Sequence, residues 1–198
     1  GGLVGLTLAL TGAGGGILAV PLLVFVLHLG MAEAAPVGLL AVGLAAAMGA
    51  LLGLREGRVR YRAALVIGGA GMLMAPLGVW LAQRLPNAPL TLAFGAVMAW
   101  SAWGMARRTW PSRAAPAPQA LPPCVRDAAD GRFVWTRPCA RVLPATGLGS
   151  GLLSGLLGVG GGFVIVPAMT RWTDLEPDSV VATSLAVIAL VSVSGVAS

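Results

Sequence analysis

The residues best placed to do chemistry in this chain are backbone amides rather than side chains. Two glycine triplets, Gly14–Gly16 and Gly160–Gly162, are each followed by four apolar residues and a proline, Pro21 or Pro167. Without a Cβ, glycine takes positive φ and lets a ligand reach the main chain. A helix that starts after such a bend points free N–H groups and the positive end of its dipole at the bend, which suits an anion. One reading leaves the glycines and the next four residues as non-helical backbone, with helix starting near the proline. The hydroxyls of Thr183 and Ser184, early in the last apolar run, either hydrogen-bond a substrate or bond back to the preceding helical turn. The substrate-binding set expected from sequence is therefore Gly14, Gly15, Gly16, Gly160, Gly161, Gly162, Thr183 and Ser184, with Thr11 and Ser154 as weaker candidates. The matching place in the first half, Gly38-Leu39-Leu40-Ala41, has no hydroxyl, so such a site is asymmetric. The competing reading gives the glycines a packing role only. Gly147, Gly151 and Gly155, small residues every four positions, fit that role at least in part.

The rest of the chemical inventory is thin. His28 is the only histidine and falls near the end of an apolar run, where it reads as solvated rather than as a proton relay. Glu33, Asp174, Glu176 and Asp178 sit in links, the last three as helix-start residues around Pro177. Cys124 and Cys139 share one polar loop with no histidine near either, and are expected to be free thiols in a reducing loop rather than metal ligands. With no nucleophile–base pair, carboxylate pair or metal cluster in the apolar runs, neither an enzyme nor a cofactor is expected.

The elements that must position these residues are membrane helices. The 198 residues are 57% hydrophobic and 10% charged, with mean hydropathy +0.88, whereas a soluble domain carries about a quarter charged residues. All thirteen basic residues are arginine, giving a net charge of +6. They lie between apolar segments, where arginine sets membrane topology, so nucleic-acid binding is not expected. The chain opens GGLVGL, without a basic leader pattern, so a signal peptide is not expected. Beginning and ending inside apolar segments suggests a fragment.

Six uncharged runs can be marked off, at 1–32, 34–54, 63–83, 85–106, 142–170 and 179–198. Pro76 should kink the third, which membrane helices accept when neighbours re-satisfy the backbone. A straight helix of about 30 residues would be roughly 45 Å long, against a hydrocarbon core of roughly 30 Å. The first and fifth runs are thus too long for one upright span, and each should be two helical pieces joined at its triplet, as a re-entrant hairpin or broken helix. A single tilted helix is the alternative.

Those two runs are also related. Residues 5–21 align with 151–167 at a constant offset of 146, with nine of seventeen positions identical. The expected fold is an all-α polytopic membrane protein of two homologous repeats, with glycine-broken or re-entrant helices. Repeat one is 1–106, an Arg/Pro-rich cytoplasmic linker is 107–141, and a truncated repeat two is 142–198. The arginine-rich links at 55–62 and 107–141 should share the cytoplasmic face. Re-entrant glycine runs would make the repeats inverted, an architecture that places transporter sites at the midplane.

The doubled pattern at 151–167, GLLSGLLGVGGGFVIVP, followed by Ala182-Thr183-Ser184-Leu185, resembles the sulfite exporter TauE/SafE family of membrane permeases. Repeat two matches well, while repeat one has Leu39-Leu40 where the motif would have Thr-Ser. The four-arginine link running into Tyr61-Arg62 also fits. The resemblance implies a transporter of small anions such as sulfite, organosulfonates or related carboxylates in a bacterial inner membrane, with the lipid bilayer and a small anionic substrate as partners. It also implies two four-segment repeats, of which the second stops here at Ser198. A structural or assembly protein, with glycines serving packing alone, is the alternative.

Overall fold

The computed structural model describes residues 31–109, 124 and 136–197. Among these the chain is all-helical, without strands: α1 (Met31–Arg55), α2 (Tyr61–Arg84), α3 (Asn87–Thr109), α4 (Arg137–Leu157), α5 (Gly162–Trp172) and α6 (Pro177–Val196). Helices α1, α2, α3 and α6 begin and end within three residues of uncharged runs, and the fifth run splits at its glycines into α4 and α5. Glu33 lies inside α1 rather than in a link. Thr11, Gly14–Gly16, His28 and most of the linker 107–141 lie outside the described residues. Three helical stretches, Pro36–Arg55, Tyr61–Arg84 and Pro177–Val196, are long and apolar enough to cross a membrane.

The packing inverts the habit of a soluble core. Helix α2 buries Ala63, Ala64, Gly68, Gly71, Ala75, Gly78 and Ala82, with Ile67 as the bulky exception, while Leu65, Leu73, Leu77 and Trp80 point outward. Helix α1 likewise exposes Leu44, Met48, Leu51 and Leu52. In water each exposed leucine would forgo about 1.5–3 kcal/mol of burial. Against lipid tails nothing is forgone, and small inward residues let backbones approach. A Cβ added to Gly147, Gly151 or Gly155 would strike the carbonyl oxygen of Ile67, Gly71 or Ala75 in turn. Each pair is 80 residues apart (147 − 67, 151 − 71, 155 − 75), so α2 and α4 run parallel in one register.

Helices α1 and α6 cross antiparallel, with Gly43 against Ser192, Gly49 against Leu185 and Gly53 against Ala182. Helix α6 is the centre of the bundle: 61% of its apolar window is buried, against 33% for α1 and for α2. It also resolves the proline in α2. Pro76 has no N–H to give the carbonyl one turn earlier, and that carbonyl, Met72 O, accepts the Ser194 hydroxyl at 2.8 Å.

One end of the bundle collects the arginines. The Arg58 guanidinium pairs with Asp178 at 3.1 Å and Glu56 at 2.9 Å, and the Arg60 amide donates to Thr183 Oγ1 at 3.1 Å. Because α4 parallels α2, Arg137 and Arg141 belong to this end too. Pro177 opens α6 with Glu176 as its N-cap and Asp178 in its first turn, as the sequence implied. Arginines also stack on aromatic rings at helix ends, Arg171 over Trp172 (5.3 Å) and, at the far end, Arg84 over Trp80 (4.1 Å).

The expectation of free thiols is corrected. Cys124 and Cys139 form a disulfide, with Cα atoms 5.1 Å apart. The reason lies in the path of α5: the Cys124 amide donates to Trp172 O at 3.2 Å, and Cys124 bridges Thr173. The C-terminus of α5 therefore lies beside the first turn of α4. The α4–α5 pair is a hairpin that opens and closes at the arginine end. By the 80-residue register, α4 stops level with Leu77, about 10 Å short of the end of α2 at 1.5 Å per residue.

Candidate functional site

The hairpin reverses through Gly158–Gly161. Gly158 caps α4 in the left-handed region (φ 70°), its N–H donating to Ser154 O at 2.8 Å. Gly160 and Gly161 also have positive φ, 80° and 70°. Side chains pay about 1–2 kcal/mol per residue to adopt that region, which explains glycine at three of the four turn positions. Space forbids a side chain as well: a Cβ on Gly161 would lie 2.8 Å from Ser150 O, and one on Gly160 would lie 3.0 Å from both Val42 and Ile188.

Helix α5 begins at once. The amides of Val164 and Ile165 both donate to Gly161 O, at 3.0 and 3.2 Å. Phe163–Val166 are thus helical, and Pro167 lies inside α5 rather than at its start. This corrects the reading of helix starting near the proline. The physical reason is that proline's fixed φ is compatible with helix and the loss of its N–H affects one bond only. The consequence is that the free first-turn amides belong to Gly162 and Phe163, directly at the bend.

The bend is interior. Gly158 through Phe163 are all buried, and α3 backs them from outside, with Leu90 buried against a cluster of Ala82, Leu157, Val159 and Phe163. Ile188, which meets Gly160, is eleven residues into α6, about 16 Å from its start and so near mid-depth. Helix α5, with 11 residues, returns over about the same distance.

The hydroxyls divide into used and unused. Thr183 Oγ1, fully buried, accepts from the Arg60 amide. It lies five residues before Ile188, about 7.5 Å towards the arginine end, and holds the α1–α2 link to α6. Ser184 is on the same face of α6 as Ile188, one turn away, and donates to Val181 O at 2.8 Å. Ser150, beside Gly161, donates to Gly147 O at 3.1 Å. Among the described residues, two buried serine hydroxyls have no partner: Ser154 Oγ and Ser192 Oγ. Ser154 is one turn beyond Ser150 on the same face of α4, beneath the glycine bend. Ser192 lies instead at the α1–α6 crossing, against Gly43.

The structure thus sets Gly160 against Val42 and Ile188 and Gly161 against Ser150, with Ser154 and Ser184 one helical turn from Ser150 and Ile188 respectively, and gives Thr183 a separate partner. Sequence reasoning did not single out Val42 and Ile188, the apolar residues against Gly160. Their spacing was a usable signal, since 42 and 188 differ by the repeat offset of 146. Chemically, the arrangement offers neutral N–H and O–H donors in a buried interior, where hydrogen bonds to an anion are strong.

The family model described as "Sulfite exporter TauE/SafE" matches residues 1–198. Proteins described as "Probable membrane transporter protein" from two strains of Xylella fastidiosa, Temecula1 and 9a5c, are each 32% identical over 190 residues. Those alignments cover 93% of this chain and 66% of each relative, so the chain spans about two-thirds of their length. No solved structure matches it.

Proposed function

Because this chain belongs to the sulfite exporter TauE/SafE family, we propose that it carries small anions across a bacterial inner membrane, holding them at the glycine bend. The substrate class we assign is sulfite, organosulfonates or related short carboxylates. The observation that carries this reading is the interior reversal at Gly158–Gly161. It sets the amide end of α5 near mid-depth against Ser150, one helical turn from the unpartnered Ser154 hydroxyl. Such a seat binds charge without a buried counter-charge, so the anion can leave as readily as it arrives. The chain is multi-pass in this reading.

Inverted repeats are part of the same proposal, supported by a reciprocity at the α1–α6 crossing. A Cβ on Gly49 would come 2.8 Å from Leu185 Cδ1, and one on Gly195 would come 2.5 Å from Leu39 Cδ2. Shifting the first pair by 146 in opposite senses gives the second (49 to 195, 185 to 39). Antiparallel helices that exchange contacts under a repeat shift fit a two-fold axis in the membrane plane.

The packing of Gly147, Gly151 and Gly155 on α2 favours a second reading, a structural or assembly protein. Flux separates the two. The full-length protein in proteoliposomes should show saturable uptake of labelled sulfite, an alkylsulfonate or a short carboxylate. Protein-dependent but non-saturable leakage for all three would sink the transport reading.

A further inference from the structure

The link between α1 and α2 runs inward along α6. Arg58 pairs with Asp178, in the first turn of α6, at 3.1 Å. Two residues on, the Arg60 amide donates to Thr183 Oγ1, also at 3.1 Å. Five helical residues separate these contacts, so the main chain of Arg60 lies about 7.5 Å deeper than the Arg58–Asp178 pair. Thr183 is in turn about 7.5 Å short of Ile188, which meets Gly160. Arg60 is thus anchored halfway, in depth, between that ion pair and the glycine bend. The two arginines also differ in their partners. Arg58 engages both Glu56, at 2.9 Å, and Asp178. Among the described residues the Arg60 guanidinium has no ion pair and no hydrogen bond, and its Nε is buried. The residue as a whole is half-buried, and its Nη groups, unpartnered as well, keep accessible surface.

We propose that Arg60 is a capture site for the transported oxyanion, a station passed before the glycine bend. This rests on the proposed transport through that bend and adds the step that precedes it. A charged donor left buried and unsatisfied costs more than a neutral one. A charge partly withdrawn from water also acts more strongly on its neighbours than an exposed one. A sulfite, sulfonate or carboxylate oxygen at the Nη groups would offset that cost through charge-assisted hydrogen bonds. Because Arg58 holds both Glu56 and Asp178 nearer the mouth, neither acid neutralises the deeper arginine. Its charge is left to steer anions inward. The bend then receives the anion on neutral amides, which bind it without trapping it. The Arg60 side chain is not what fixes the link to α6, since that contact is made by its amide.

The test uses the full-length protein in phosphatidylcholine proteoliposomes and reads the half-saturating concentration and maximal rate of labelled sulfite flux. Arg60→Gln should raise half-saturation about tenfold, the lower end of what a hydrogen bond to a charged group supplies, with little change in maximal rate. Arg60→Lys keeps the charge and should recover most of that loss. Arg62→Gln removes the same charge from an exposed side chain stacked on Tyr61 at 5.9 Å, and should leave half-saturation unchanged. Rising ionic strength should raise half-saturation in the wild type and move it little in Arg60→Gln. If Arg60→Gln does not reach the vesicles, Arg60→Met, which keeps an unbranched stem, should show the same shift. A shift confined to vesicles that contain phosphatidylglycerol would assign Arg60 to a lipid phosphate and overturn the capture step. Unchanged half-saturation in Arg60→Gln, or an equal shift in Arg62→Gln, with saturable wild-type flux, would also overturn it and leave the glycine-bend site standing. Absence of saturable flux in the wild type would overturn both.

Discussion

Replacing Ser154 with alanine should move stability and transport in opposite directions. The Ser154 hydroxyl is fully buried and has no hydrogen-bond partner. An unsatisfied buried polar group costs a fold about 1–3 kcal/mol. Alanine removes that penalty and one small atom from a tightly packed face, so the variant should be more stable by up to about 1 kcal/mol. If the hydroxyl instead waits for an anion, its loss removes a hydrogen bond to a charged group, worth about 1.5–3 kcal/mol. That is roughly a 10- to 150-fold rise in the half-saturating sulfite concentration, at 1.4 kcal/mol per decade. Thermal unfolding in detergent gives the first number and concentration-dependent flux in proteoliposomes gives the second. Ser192→Ala is the internal control, since that hydroxyl is equally unpartnered but sits at the α1–α6 crossing. It should gain stability with flux unchanged. Unaltered half-saturation in Ser154→Ala would refute the reasoning, as would identical behaviour of the two variants.

Other expectations follow from the packing. Gly151→Ala drives a methyl into Gly71 and should cost about 3 kcal/mol or more, seen as loss of the monodisperse peak in size-exclusion chromatography. Gly69→Ala, with open space around it, should be neutral or stabilising by up to about 1 kcal/mol. Ser194→Ala strands the Met72 carbonyl and should cost roughly 1–2 kcal/mol, whereas adding Pro76→Ala should recover most of that by restoring an N–H donor; additive losses in the double variant would contradict the assignment. The Cys124–Cys139 disulfide closes a loop of sequence separation 15, so reducing it should lower stability by about 3 kcal/mol on the loop-entropy estimate. Equal melting temperatures with and without reductant would argue against the cross-link.

The helices were legible because apolar length and arginine punctuation are local properties. The glycine bend was legible for a related reason: an uncharged run with a triplet inside is too long for one span and too short for two. Where α5 starts was not legible. Proline is compatible with either the first turn or the sixth position, and what decided was the close approach of Gly161 to Ser150, a contact between helices. The disulfide was hidden similarly. Spacing between two cysteines says nothing of whether α5 returns to the start of α4, and only that return brings residue 124 to residue 139. Hydroxyls were the hardest to rank. Thr183 and Ser184 looked available from their place in a motif, yet one holds a link and the other bonds its own helix. Among the sequence candidates that the structure describes, the unpartnered hydroxyl was that of Ser154, whose standing depends on what does not surround it.

The hairpin that stops about 10 Å short of the far end of α2 has an electrical consequence. Beyond its tip α4–α5 insulates nothing. Water in that gap would carry the potential of the bulk phase on that side about 10 Å inward, so the transmembrane voltage would fall across the remaining depth, which holds the glycine bend. A monovalent anion crossing it would then collect 2.3 kcal/mol per about 100 mV over a path shorter than the full span. Voltage would act on the occupied site itself, and flux at fixed concentrations should track membrane potential steeply.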